Sequence, residues 1–146
     1  MKNKFLSSIG IFLLSVIASV FYSQQTQAQC DLVSKDCLKN LGNNYVSDGQ
    51  NYKALVTTED VAEFNATFYG GSTYRLTACT AGEDGSVIFM VYDKQRNLLF
   101  SNADQKFAPY WDFKFKSTMD CVIEAKLNPT KSATSGCAVL LIGFKQ

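Results

Sequence analysis

Between Ala62 and Leu127 the apolar residues of this chain recur at every second position, and that period-two pattern constrains the fold more than any other feature. Phe64, Ala66 and Phe68 alternate with Glu63, Asn65 and Thr67; after Gly70-Gly71, Tyr74, Leu76 and Ala78 alternate with Thr73, Arg75 and Thr77. Ser86 to Tyr92 is a continuous β-branched and aromatic run. It is bounded by Gly82-Glu83-Asp84-Gly85 and Asp93-Lys94-Gln95-Arg96-Asn97, and Leu98-Leu99-Phe100 follows as the return arm of a hairpin. Trp111, Phe113 and Phe115 share one parity against Tyr110, Asp112, Lys114 and Lys116, and Cys121, Ile123, Ala125 and Leu127 share one against Val122, Glu124 and Lys126. The run from Cys137 to Phe144 is apolar on both faces. Pro109 and Pro129 fall between these runs, where a residue without an N–H does no harm to a ladder.

Short strands with turns at regular intervals predict an all-β fold: an antiparallel two-layer sandwich, jelly-roll-like, of roughly seven or eight strands, with a closed barrel as the alternative. The exception is the N-terminal piece. Leu32, Val33, Cys37, Leu38 and Leu41 suit one face of a short helix ending at Gly42-Asn43, and Asn43 to Asn51 reads as loop. The organisation expected is an export signal over 1–28, an N-terminal helix and loop over 29–51, and the sandwich over 52–146.

The export signal rests on Lys2 and Lys4, a charge-free apolar run from Phe5 to Tyr22, and the cleavage-like Thr26-Gln27-Ala28. Ser7, Ser8, Gly10, Ser15 and Ser19 dilute the run, and no basic stop-transfer cluster follows it, so cleavage is favoured over a retained membrane anchor. A lipoprotein signal ending at Cys30 is disfavoured by Gln27-Ala28-Gln29 before it. Removing 28 of the 146 residues leaves 118, enough for one domain with a modest core. The localisation expected is secreted, periplasmic or cell-surface, with no membrane span after cleavage.

After cleavage 12 basic side chains, the chain's 14 less Lys2 and Lys4, face 13 acidic ones, and this balance gives no footprint for nucleic acid. Histidine is absent. That removes Ser-His-Asp and Cys-His nucleophilic pairs, His-containing zinc sites and the commonest general base at neutral pH. Glu83, Asp84, Asp93, Asp104 and Asp120 read as solvated turn residues, so the chain is expected to be no enzyme, a hydrolase being the remote alternative, and to need no cofactor. Glu83 and Asp84 are the best local calcium candidates. Two carboxylates fall well short of calcium's oxygen shell, and no metal site is expected.

Glu63 to Cys79 with its Gly70-Gly71-Ser72-Thr73-Tyr74 turn, Val91-Tyr92-Asp93 leading to Leu98-Leu99-Phe100, and Phe113 to Leu127 together resemble the bacterial pre-peptidase C-terminal domain, a jelly-roll module. The likeness spans about Ala62 to Phe144 and implies the sandwich. Members of that family usually accompany a secreted enzyme, and this chain carries none. The ending Leu140 to Gln146 is also similar to small uncharacterised exported proteins of Gram-negative bacteria, a likeness that implies no function.

The function expected is a non-catalytic exported binding module for a saccharide or peptide, with a structural or protein-interaction component of the cell envelope as the alternative. Aromatic side chains offer flat platforms for such ligands, and Phe107 to Asp112 is the candidate segment. Parity sends Trp111 into the core and leaves Tyr110, Asp112 and Lys114 on the outer face as candidate ligand-binding residues. Five cysteines, Cys30, Cys37, Cys79, Cys121 and Cys137, imply at least one thiol outside any intramolecular bridge. In a jelly roll the strands ending at Cys79 and beginning at Cys121 would be antiparallel neighbours, which makes Cys79–Cys121 the first expected disulfide. Cys137 paired to Cys37 or Cys30 is the second.

Overall fold

The computed structural model describes residues 29–50 and 52–146; the export signal expected over 1–28 lies outside the described residues. The chain is helical through 29–41 (α1). Among the described residues nine strands follow: β1 Tyr45–Ser47, β2 Tyr52–Thr57, β3 Ala62–Phe68, β4 Thr73–Cys79, β5 Val87–Asp93, β6 Leu98–Ser101, β7 Tyr110–Lys114, β8 Met119–Leu127 and β9 Ser135–Lys145. They form two antiparallel sheets. In the first, β9 pairs with β4 on one side and with β1 and β2 on the other, and β4 carries β7 as its outer neighbour; the second runs β3-β8-β5-β6. The fold is therefore the expected two-layer sandwich, not a barrel. Its count is one or two strands higher than expected because Tyr45–Ser47, expected as loop, pairs with Gly143–Lys145.

Alternation builds the core. In β8, Cys121, Ile123, Ala125 and Leu127 are buried while the residues between them are half-open. They meet Tyr74, Leu76 and Ala78 of β4 and Ala138, Leu140 and Ile142 of β9 across the layers. Each large apolar side chain removed from water this way contributes about 1.5–3 kcal/mol. The two arms flanking Gly70-Gly71 do not pair with each other. β3 joins β8 and β4 joins β7 and β9, so the turn carries the chain from one sheet to the other.

β9 is apolar on both faces because both are covered. Ala138, Leu140 and Ile142 face the other sheet; Cys137, Val139 and Leu141 face α1 through Cys30, Val33 and Cys37. The buried stripe of α1 is Cys30, Val33, Cys37 and Leu41, whereas Leu32 and Leu38, expected on that face, are exposed. At about 100° per residue, Leu32 lies roughly 160° from Cys30 around the helix and Leu38 roughly 80°, outside the stripe. Leu41 seats against bare backbone, since a Cβ at Gly143 would come within 2.7 Å of its side chain.

Two disulfides fasten the helix, Cys30–Cys137 and Cys37–Cys79, and Cys121 is a buried thiol. The expected Cys79–Cys121 bridge is not formed. β4 and β8 belong to different sheets, with the Cys79 sulfur on the helix-covered face and Cys121 in the core between the layers. Cys137 bonds the more distant of its two anticipated partners. With its sulfur bound to Cys137, Cys30 is not available for acylation.

Candidate functional site

β7 is a short edge strand, and the chain enters it through a tightly held turn. Ser101 caps the 3₁₀ turn Asn102–Gln105, and Lys106 and Phe107 then both adopt φ of 56°. A left-handed conformation at a bulky residue such as Phe107 persists only where neighbours hold it. Asn102 does so. Fully buried, it accepts a hydrogen bond from the Phe89 N–H at 2.9 Å, and its amide donates to the Val87 carbonyl at 3.0 Å and the Ala108 carbonyl at 3.1 Å. Its own carbonyl accepts the Phe107 N–H at 2.9 Å. Asn102 thus ties the entry of β7 to the central strand β5.

From there β7 runs alongside β4 in unbroken register, Tyr110 opposite Thr77 and Lys114 opposite Thr73. Trp111 and Phe113 take the core parity, with the Trp111 ring stacked on Phe100 at 5.2 Å and Phe113 against Phe100 at 5.0 Å. Parity places Trp111 correctly, but the expectation of burial fails: it remains 37% exposed, close to the 40% of Tyr110. Among the described residues β7 has no strand beyond it, so the edge of the interlayer space stays open beside the indole. An open concavity of about 410 Å³ runs along Ala108 to Asp112.

The outer parity of β7 carries the three candidate residues, Tyr110, Asp112 and Lys114. Only two of them are drawn into one cluster, and its centre is Arg75, which sequence reasoning did not single out. Its guanidinium grips Asp112 in two parallel bonds, Nε to Oδ1 at 2.7 Å and Nη2 to Oδ2 at 2.9 Å. It lies between the rings of Tyr110 at 4.1 Å and Tyr45 at 4.4 Å, a cation held by two π faces. Nη1 also donates to the Leu41 carbonyl at 3.2 Å, one of the carbonyls left free where α1 ends. The Arg75 bonds hold the Asp112 carboxyl below its ordinary range despite partial burial, and Lys145 assists. Burial raises the Tyr45 phenol, and the Asp112 carboxylate beside it adds to the rise. Arg75's position opposite the parity of Tyr74 and Leu76 was the available signal; that Asp112 would lie across from it was not readable without the strand pairing. Lys114 stands exposed beyond the cluster.

Glu83 and Asp84 sit exposed on the loop before β5, and no group of three or more potential metal-ligating side chains occurs among the described residues. No helix among the described residues is long and apolar enough to cross a membrane.

No protein-family model matches the chain, and no curated protein matches it in sequence, so the resemblance to the pre-peptidase C-terminal domain remains a likeness of strand motifs. Among solved structures, the chain is similar to a periplasmic inhibitor of g-type lysozyme, PliG, from Aeromonas hydrophila. The identity is 11%, the TM-score 0.49, and the overlay covers 66% of this chain and 85% of that one. Likeness at that level carries no argument about what this chain does.

Proposed function

We propose that the protein is a non-catalytic exported binding module that holds a peptide segment of a partner protein at the Tyr110-Trp111 end of β7. One observation carries this reading: the Trp111 indole stays 37% exposed beside an open concavity on a strand whose entry is rigidly held, with Tyr110 exposed on the opposite face of the same strand. A preformed apolar platform of that kind gives up little conformational entropy on binding.

A peptide suits the site better than a saccharide. Sugar hydroxyls require free polar side chains, and those nearest are already engaged: Arg75 with Asp112, and the Pro109 carbonyl with the Thr77 hydroxyl at 3.0 Å and the Ala78 N–H at 3.0 Å. Export is supported by the signal-like N-terminus and by two disulfides, which form and persist in oxidising compartments.

The test pans a random peptide display library and a glycan array against the disulfide-bonded protein and its Trp111→Ala variant. Enrichment of peptides on the parent, lost in the variant, is the expected result. Glycan binding without peptide enrichment would reassign the ligand, and silence in both assays would remove the binding-module reading in favour of a structural envelope role.

A further inference from the structure

The backbone of β7 carries information that its side chains do not. In an antiparallel ladder, residues alternate between those whose N–H and C=O both face the neighbouring strand and those whose groups both face away. The Ala78 N–H donates to the Pro109 carbonyl at 3.0 Å, which fixes the phase. Counting along the register from that pair, Trp111 and Phe113 direct their backbone groups to Leu76 and Tyr74 of β4. Tyr110, Asp112 and Lys114 direct theirs outward, and among the described residues no strand receives them. β7 has no register shift, as β3 at one edge of the other sheet has none, whereas β6 at that sheet's other edge pairs irregularly at Val91/Tyr92.

The two faces that an added strand would continue are chemically opposite. On the interlayer side lie Trp111 and, beneath it, Phe100. On the outer side Arg75 is neutralised by its pairing with Asp112, which leaves the exposed lysines Lys114 and Lys145 as the uncompensated charges. Side chains of a strand alternate between faces, so a segment that satisfied both would place apolar residues on one parity and acidic ones on the other.

The geometry points to strand addition: β7 is the acceptor edge for an extended segment of another protein in which apolar and acidic residues alternate. This rests on the peptide-binding reading above and specifies its mode and its partner chemistry. Backbone pairing to Tyr110, Asp112 and Lys114 supplies the hold, the Trp111 face takes the apolar side chains, and Lys114 on the outer face takes the carboxylates.

The experiment titrates the protein with Ac-Glu-Val-Glu-Val-Glu-Val-NH2, with its Lys-for-Glu counterpart, and with a form N-methylated at alternate amides. The fluorescence of Trp111, the chain's single tryptophan, reports binding. The acidic peptide is expected to bind at least about tenfold tighter than the Lys peptide, and N-methylation on the pairing parity to weaken it by a similar factor. Lys114→Glu, at an exposed position, should narrow or reverse the charge preference.

Equal binding of the acidic and Lys peptides, indifference to N-methylation, or no acidic-peptide binding at all would overturn strand addition. The peptide-binding reading survives that result if the display library still enriches Trp111-dependent sequences, and falls with it if the library is silent. A dimer seen by sedimentation and dissolved by Trp111→Lys would give the edge to a second copy and also overturn the proposal.

Discussion

Asn102→Ala should cost about 3–5 kcal/mol of stability, a large effect for replacing a polar residue. The side chain is fully buried and serves three backbone groups that no regular ladder satisfies: the N–H of Phe89 and the carbonyls of Val87 and Ala108. Truncation leaves them facing a void. An unsatisfied buried donor costs about 1–3 kcal/mol, and the two carbonyls add smaller losses because each keeps a second lone pair. Over the 118 residues expected after cleavage, that loss corresponds to a fall in Tm of roughly 10–20 °C. Urea unfolding at neutral pH, followed by Trp111 fluorescence, measures it directly, with the slope expected to stay constant and the midpoint to move. A loss below about 1 kcal/mol would refute the assignment of Asn102 as the anchor of the β7 entry.

Other outcomes follow from the same geometry. Trp111→Ala should cost about 1–2 kcal/mol and Tyr110→Ala less than about 1, since the indole is only partly buried on Phe100 and the phenol stacks on an exposed-side guanidinium; equal losses by urea unfolding would contradict the parity of β7. Cys30→Ala combined with Cys137→Ala opens a loop of 107 residues, shortened to about 65 by the remaining bridge, and should cost about 3–4 kcal/mol. Peptide mapping should recover the Cys79 peptide joined to Cys37 and the Cys121 peptide alone. The Cys121 thiol, which burial pushes up to about 11, should resist a thiol reagent at pH 8 in the folded protein and react on unfolding; rapid modification of the native protein would show that the thiol is not enclosed. Because Arg75 holds the Asp112 carboxyl below its ordinary 3.8, the stabilisation from this group is present above the unfolded-state value and is lost as pH falls through the folded one. Asp112→Asn should therefore flatten the acid side of the stability curve below about pH 4, by less than about 1 kcal/mol because solvent screens the 41% exposed carboxylate.

Within one strand the sequence was a good guide. The alternation of Cys121, Ile123, Ala125 and Leu127, the two-faced run after Cys137, and the parity of Trp111 against Tyr110 all appear in the structure, because a strand's side chains alternate wherever the strand is placed. The helix was legible as an element and in part of its buried face: Val33, Cys37 and Leu41 lie in the stripe as expected, whereas Leu32 and Leu38 do not and Cys30 does. The candidate site was half legible. Tyr110, Asp112 and Lys114 share the outer face as alternation requires, yet Arg75, which engages the first two, lies 35 or more residues away in sequence and across a strand pairing that no local pattern encodes.

By itself, then, the sequence determined the N-terminal helix, the strands from Ala62 onward and the direction of most side chains in those strands, because propensity and period act over a few neighbouring residues. Which strands became neighbours was decided only in the tertiary structure. The chain crosses between sheets at Gly70-Gly71, and that crossing sets β4 and β8 in opposite layers, so that Cys79 meets the helix instead of Cys121. It also made β7 an edge, leaving Trp111 half-open to solvent where the same alternation in a central strand would have buried it. Burial and pairing depend on contacts across long stretches of chain, and those contacts are chosen by the packing of the whole sandwich.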